Sequence, residues 1–223
     1  MASRKLSFQI SLSKVKSSSG SNGIEINKNF KSAWEKAKDK WNKGIKSKVE
    51  STLPDGFKEN YGITLVAYTG EIHDEFNRAA RAVGKSRDNY MNNFHFKSFH
   101  YYLTMALRKL TNGCTKRTVY RGEKNVHFMP PREGNDMRFG QITSTSYDRD
   151  TGEMFGVDTF YEIHACYGVP IEDFTQFSFQ NEVLVPGNEM FTVKSFERLT
   201  YKFTLDSNER TCSDFNCAYL QGQ

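Results

Sequence analysis

Long apolar segments are absent from this sequence of 223 residues. No run of apolar residues approaches the length of about 18 that a membrane-spanning helix needs, so we expect no membrane span. Residues 1–20 contain only short apolar pieces, and no signal peptide is visible there. Either the numbered chain is a trimmed mature form, or its export does not use a signal peptide.

Cysteine pairs of the kind that bind metals are also absent. The four cysteines lie at positions 114, 166, 212 and 217, and none forms a Cys-x-x-Cys pair or a metal-like spacing with the five histidines. His95 and His100 lie on a predicted helix, but not at the spacing of about three or four residues that metal ligands on one helix face require. We therefore expect no metal site, and histidines that are packed or hydrogen-bonded.

The composition that is present indicates one folded domain. Apolar residues make up 37% of the chain and aromatic residues 14%, and the length allows a substantial core. Residues 16–23 consist mainly of serine, glycine and lysine and have the composition of a flexible spacer. We predict a flexible basic arm over residues 1–26 and a single domain over residues 27–223.

Positive charge is concentrated at the N-terminal end. Residues 1–48 contain 12 Lys or Arg and 3 Asp or Glu, whereas residues 49–223 contain 19 and 23. Such an arm could attract nucleic acid or another anionic surface. The lysines from Lys36 to Lys48 alternate with polar residues, however, which is more typical of a solvated helix face. We therefore expect no nucleic-acid partner for the domain.

The pattern of apolar residues changes from helical to strand-like along the chain. Residues 63–68 fit either a strand or a buried helix. Helices are predicted over residues 27–44, with Trp34 and Trp41 in the core, over residues 71–83, and from about residue 87 or 92 to residue 110. Strands are predicted over residues 118–121, 138–146, 158–169, 182–185, 190–196 and 199–205. A helical first half and a strand-rich second half indicate the α+β class.

One strand combines an acid with a buried segment. Glu182 leads into the apolar run Val183-Leu184-Val185, which the turn residues Pro186-Gly187 close. Gln180 and Glu182 would project to the same side of an extended chain. An acid at this position loses hydration unless a neighbour satisfies it, so we expect a partner for Glu182. The alternative is an acid at a strand end that remains in solvent.

Two upstream segments supply candidate partners: Val119-Tyr120-Arg121-Gly122 and Phe139-Gly140-Gln141-Ile142-Thr143-Ser144. In this order, Arg121, Ser144 and Glu182 resemble the R-S-E signature of mono-ADP-ribosyltransferases, and specifically the vertebrate arginine-specific ecto-enzymes. The likeness covers roughly residues 30–220. It implies the ADP-ribosyltransferase fold, in which a helical N-terminal part packs on a split β-sandwich.

The resemblance also implies a reaction and roles in it. The family cleaves the bond between nicotinamide and ribose in NAD and transfers ADP-ribose to an acceptor, with NAD as a substrate and no metal. It assigns to Glu182 the stabilisation of positive charge on the ribose, to Arg121 the binding of the dinucleotide, and to Ser144 the orientation of Glu182. Gly122 would admit the nicotinamide amide, and Phe155 would contact the nicotinamide ring.

The acceptor side departs from the arginine-specific pattern. Those enzymes carry Glu two positions before the catalytic acid, where this chain has Gln180. An amide can orient an acceptor, but it cannot neutralise a guanidinium or remove its proton. Similar enzymes with Gln at this position mainly hydrolyse NAD or modify an asparagine amide. The acceptor could therefore be a protein side chain or water, and Phe177 and Phe179 are candidates for contact with an acceptor protein.

The resemblance further implies a disulfide between Cys114 and Cys166. Cys217 also matches a bridged position, but its family partner near the N-terminus is absent, and Cys212 could replace it. A disulfide implies an oxidising compartment, and hence a secreted or cell-surface protein. The alternatives are four reduced cysteines and a cytoplasmic location.

Two other functional classes remain open. The first is a binding module that keeps the fold without catalysis, although retention of Arg121, Ser144 and Glu182 argues against it. The second is binding of nucleic acid or an anionic surface through residues 1–48, which predicts strongly salt-dependent binding that is lost with the arm.

Overall fold

The computed structural model describes residues 28–83, 86–129, 132–175 and 181–212. Within these ranges the first half is helical, as predicted. The helices are α1 (Lys28–Lys40), α2 (Lys46–Val49), α3 (Glu59–Tyr68), α4 (His73–Val83), α5 (Arg87–Asn93) and α6 (Lys97–Leu110), with a π-helical turn over Trp41–Ile45. None of the helices in the described ranges is both long enough and apolar enough to cross a membrane.

Several expectations for the helical half are confirmed. Trp34 and Trp41 are buried in the core, and the ambiguous residues 63–68 belong to α3. His100 is packed and hydrogen-bonded, with Nδ1 at 2.9 Å from the Tyr90 hydroxyl. His95, by contrast, is exposed in the turn between two helices, so the expectation of a packed histidine is wrong for that residue. The periodicity of the aromatic and aliphatic residues was therefore a sound guide to which side chains are buried.

The helix predicted from about residue 87 or 92 to residue 110 ends at Leu110 as predicted, but its predicted start is wrong, because α5 and α6 are separate helices. Phe94 has an extended backbone between them. This break allows both Phe94 and Phe96 to be buried, and their rings pack together at 6.0 Å between centroids. Burial of two aromatic rings in the core therefore outweighs the continuation of one helix.

Three lysines between residues 36 and 48 form ion pairs on the surface, as expected for a solvated face. The three pairs are Lys36–Glu71 at 3.3 Å, Lys43–Asp39 at 2.9 Å and Lys48–Asp173 at 2.8 Å. All six side chains are more than half exposed. Local acids thus offset part of the positive charge of this region.

The second half forms one eight-stranded sheet with the strand order β2-β7-β8-β4-β1-β3-β6-β5. β4 and β8 pair in parallel, and the other registered pairs are antiparallel. The strands are β1 (Arg117–Glu123), β2 (Asp136–Met137), β3 (Thr143–Ser146), β4 (Thr159–Ala165), β5 (Val169–Pro170), β6 (Glu182–Val185), β7 (Glu189–Glu197) and β8 (Lys202–Thr211). A short helix, α7 (Arg149–Met154), connects β3 to β4.

Three predicted strands differ clearly from the structure in their extent, and the two-residue strand β2 and one helix were not predicted. The strand predicted over residues 138–146 begins only at residue 143, because Gly140 has a φ of 71° and its N–H bonds the Gly187 carbonyl oxygen at 3.1 Å. The strand predicted over residues 158–169 divides into β4 and β5, and the last strand extends to residue 211. Helix α7 was not predicted, since six residues are too few to show a helical period.

Two apolar cores lie on opposite faces of β6. Leu184 packs with the helices in the first core. Val183 and Val185 pack with side chains of β7 and β8 in the second core. Because β6 is distant from β7 and β8 in the strand order, the sheet must fold over the second core. This is the expected α+β arrangement of helices against a split β-sandwich.

A disulfide joins Cys114 and Cys166, as the resemblance implied. It links the segment before β1 to the residue after β4, next to a hydrogen bond from Thr115 N–H to the Cys166 carbonyl oxygen at 3.1 Å. Cys212 is also disulfide-bonded, whereas Cys217 lies outside the described residues. The alternative of four reduced cysteines is therefore wrong.

Close packing of α7 on β1 requires glycine at position 122. A Cβ atom there would overlap the carbonyl oxygen of Gly156 and lie 2.6 Å from that of Gly152. A Cβ at position 152 would in turn lie 2.7 Å from the Cβ of Tyr120. Backbone therefore fills the space beside Gly122, independently of any ligand.

We expect the substitution Gly122→Ala to destabilise the protein by about 1–3 kcal/mol, because the added Cβ cannot fit unless α7 moves. Denaturant unfolding followed by circular dichroism measures the change. Gly70→Ala is the comparison variant and should destabilise the protein less, since a Cβ at position 70 would lie 3.3 Å from the Ala67 carbonyl oxygen, a tight contact that a small shift relieves. Equal stability of Gly122→Ala and the wild type would contradict this packing.

Candidate active site

A gap between β1 and β3 forms the framework of the site. These strands pair at one registered position, Tyr120 opposite Ser146, although β1 continues to Glu123. Arg121 spans the gap, since its Nη1 donates a hydrogen bond to the Ser144 carbonyl oxygen at 2.7 Å. The separation of the two strands thus leaves space that a guanidinium crosses.

The guanidinium of Arg121 has a second partner in Glu123. Nε donates to Glu123 Oε1 at 2.7 Å, and Nη2 lies 2.7 Å from the same oxygen. Val119, on the same face of β1, belongs to the second core, so Arg121 and Glu123 lie where that core opens. The sequence analysis missed Glu123; its spacing of two residues from Arg121 on a strand was the available signal.

Glu182 begins β6, as predicted, and is half-buried. Burial raises the pKa of its carboxyl group above the ordinary value, while a hydrogen bond from Ser144 and electrostatic interactions with His73 and Arg121 act in the opposite direction. The alternative of a strand-end acid in solvent is therefore wrong. The structure brings Arg121, Ser144 and Glu182 together from three different strands.

The helical half contributes Tyr68 and Asn77 to this site. The Tyr68 hydroxyl donates to the Ile142 carbonyl oxygen at 3.1 Å and accepts from Asn77 Nδ2 at 3.1 Å. It also bonds Ser144, and burial raises the pKa of this hydroxyl. Tyr68 therefore connects the last turn of α3 to β3, the strand that carries Ser144.

Two polar groups of α4 lie near these residues, the amide oxygen of Asn77 and the ring of His73. Asn77 Oδ1 is buried and has no hydrogen-bond partner among the described residues. The His73 ring has Nδ1 at 3.1 Å from the Gly70 carbonyl oxygen and Nε2 at 3.0 Å from Asp74 Oδ1. Helical periodicity identified the apolar face of α4, but it does not show which polar neighbours turn toward a gap in the sheet.

Phe155 lies at the C-terminal end of α7, and its side chain is 44% exposed. An ordinary core ring is therefore excluded for this residue. The following residue, Gly156, packs its backbone on Gly122 and Glu123. Phe155 is consequently placed next to the end of β1 that borders the gap, although its proposed contact with a ligand remains a prediction.

The acceptor-side residues Gln180, Phe177 and Phe179 lie outside the described residues, and their roles also remain predictions. The adjacent Asn181 is described, and its carbonyl oxygen accepts a hydrogen bond from the Tyr147 N–H at 3.2 Å. This bond links the approach to β6 with the end of β3.

The arrangement combines a hydrogen-bonded carboxylate with a guanidinium at a gap in a sheet. A carboxylate of this kind can stabilise a developing positive charge, and a guanidinium can bind phosphate or carboxylate oxygens. Half-burial strengthens both interactions relative to their strength in water. Such a pair suits the cleavage of an anionic ligand in which a cationic centre develops.

Comparison with known proteins agrees with this geometry. The family model described as "ART: NAD:arginine ADP-ribosyltransferase" matches residues 13–213. Ecto-ADP-ribosyltransferase 5 of Rattus norvegicus is 39% identical over 204 residues, covering 87% of this chain and 65% of that protein. T-cell ecto-ADP-ribosyltransferase 2 of Mus musculus is 41% identical over 204 residues, covering 88% of this chain and 66% of that protein.

The fold of this chain is also similar to that of a solved ADP-ribosyltransferase structure. A mutant of the eukaryotic mono-ADP-ribosyltransferase ART2.2 in complex with NAD superposes with a TM-score of 0.76 at 39% identity, covering 88% of this chain and 85% of that chain. This chain therefore spans about two thirds of the length of its full-length relatives and most of the solved domain. It belongs to the NAD:arginine ADP-ribosyltransferase family.

Proposed function

We propose that this protein binds NAD in the gap between β1 and β3 and cleaves the bond between nicotinamide and ribose. ADP-ribose then passes to a protein acceptor or to water. The observation that supports this most directly is the Glu182 carboxylate, which Ser144 holds by a hydrogen bond within electrostatic reach of Arg121. The complex of the similar ART2.2 domain with NAD supports the choice of ligand.

The chemistry assigned to Glu182 follows from the charge that develops in the reaction. As nicotinamide leaves, the ribose carbon becomes oxocarbenium-like, as in glycoside cleavage. A carboxylate fixed beside this carbon stabilises the transition state more than the ground state, which accelerates the reaction. Ser144 keeps the carboxylate oriented, and it also favours the ionised form that this role needs.

The other side chains of the gap would bind the rest of the dinucleotide. Arg121 offers a planar set of donors to phosphate or ribose oxygens. The exposed ring of Phe155 would contact the nicotinamide ring, and backbone groups near Gly122 would bond its amide. The buried Asn77 Oδ1, which lacks a partner among the described residues, would accept a hydrogen bond from the ligand.

The acceptor depends on Gln180, in our proposal. Gln180 would orient an acceptor without removing its proton, which favours NAD hydrolysis over transfer to arginine. Phe177 and Phe179 would contact an acceptor protein. The Cys114–Cys166 disulfide and the ecto-enzyme relatives support a secreted or cell-surface location, where NAD and acceptors would both be extracellular.

Replacing Glu182 with glutamine should reduce nicotinamide release from NAD by about 100- to 1,000-fold, the range for removal of one preorganised electrostatic group. The release is measured by chromatography of the products. Glu197→Gln is the control, because Glu197 is an exposed acid of β7 outside the site, and it should keep wild-type turnover. Unchanged turnover by Glu182→Gln would contradict the role of this carboxylate.

The pH profile should respond to Ser144. Glu182 acts in its ionised form, so the rate falls as pH falls through its pKa. The hydrogen bond from Ser144 lowers that pKa against the effect of burial, and Ser144→Ala should therefore shift the acidic limb of the kcat profile to higher pH.

The matching control for this profile is Ser195→Ala, which changes an exposed serine of β7 and should leave the acidic limb in place. A limb that moves to lower pH in Ser144→Ala, or does not move, would contradict the assigned interaction.

Gln180→Glu should raise ADP-ribose transfer to agmatine by at least about 10-fold, because a carboxylate can pair with the acceptor guanidinium and take its proton. Labelled NAD with and without agmatine separates transfer from hydrolysis. Gln180→Ala is the control and should not gain transfer. If Gln180→Glu also shows no gain, Gln180 does not govern the acceptor.

A further inference from the structure

The Arg121–Glu123 pair has a geometry that the reaction described above does not use. Nε donates a hydrogen bond to Oε1 of Glu123 at 2.7 Å, and Nη2, on the same edge of the guanidinium, lies 2.7 Å from that same oxygen in an ion pair. The side chains are only 18% and 31% exposed. The pair therefore lies within the opening of the gap and not on the outer surface.

The Arg121–Glu123 pair leaves some N–H groups of the guanidinium available to a ligand. Arginine carries five N–H groups in a rigid plane. The Nε hydrogen is bonded to Glu123, and one hydrogen on Nη1 is bonded to the Ser144 carbonyl oxygen. Nη2 lies against the same Glu123 oxygen in an ion pair. At least one hydrogen therefore remains available on each terminal nitrogen, and two such donors can bind an anionic group through two oxygens.

We infer that Glu123 is a positioning residue for NAD binding: it fixes the plane of the Arg121 guanidinium so that the two remaining donors point to the dinucleotide. This inference rests on the proposed function. Arginine has many rotamers, and holding one of them before the ligand arrives avoids the entropy loss of ordering it on binding. Glu123 need not contact NAD to have this effect.

A carboxylate beside the arginine also has an opposite effect, because it offsets part of the positive charge that attracts a phosphate. The two effects predict opposite changes when Glu123 is removed. If positioning dominates, NAD binds more weakly; if charge dominates, NAD binds more tightly. Because the pair is partly exposed, solvent screens the charge effect, whereas the hydrogen-bond geometry does not depend on screening.

The decisive experiment compares Glu123→Ala and Glu123→Gln with the wild type. We expect Glu123→Ala to raise the Kd for carba-NAD, an analogue that cannot be cleaved, and the KM for NAD by about 10-fold each, with kcat changed by less than about twofold. Glutamine retains an oxygen that accepts the hydrogen bond from Nε, so Glu123→Gln should restore Kd and KM to within about threefold of wild type. Calorimetry and nicotinamide release supply the two measurements.

Glu209→Gln is the matched control, because Glu209 pairs with Lys116, immediately before β1, at 2.8 Å. It should leave Kd and KM unchanged, and the unfolding temperature of each variant shows that it is folded. Tighter binding by both Glu123 variants, or an unchanged Kd in Glu123→Ala, would overturn the inference while leaving the proposed function intact. A wild-type protein that binds no carba-NAD would overturn both, whereas binding without NAD cleavage would contradict only the proposed catalysis.

Discussion

The site depends on the loss of pairing between β1 and β3 beyond Tyr120 and Ser146. In a continuous ladder the backbone groups of the two strands would bond each other and leave no space for a ligand. Here the guanidinium of Arg121 replaces that backbone pairing: its Nη1 donates a hydrogen bond to the Ser144 carbonyl oxygen at 2.7 Å. The rest of the fold supports this gap: α7 packs on one face of β1 through glycines, and α3 holds β3 through Tyr68.

Burial and charge act against each other at Glu182. Burial disfavours the ionised carboxyl, and its partners Ser144, His73 and Arg121 favour it. The same burial makes the ionised form useful, since its attraction for a developing cation is stronger there than in water. A site of this kind must therefore be assembled from several elements, and strands β1, β3 and β6 each contribute one of its principal residues.

The sequence predicted most of this architecture, but for different reasons in different places. Periodicity identified the helical half and the core tryptophans, and the ordered motif around Arg121, Ser144 and Glu182 identified the three strands of the site. Glu123 and Asn77 were missed because their importance comes from contacts between elements that are distant in sequence. The break at Phe94 was missed for a similar reason, since tertiary burial of aromatic rings decides it.

The most direct test of the account is a crystal structure of this chain with carba-NAD. The account predicts the dinucleotide in the gap between β1 and β3, with its nicotinamide-bearing ring carbon against the Glu182 carboxylate and an anionic or ribose oxygen on Arg121. A dinucleotide bound elsewhere, or bound with Glu182 turned away from that carbon, would contradict it.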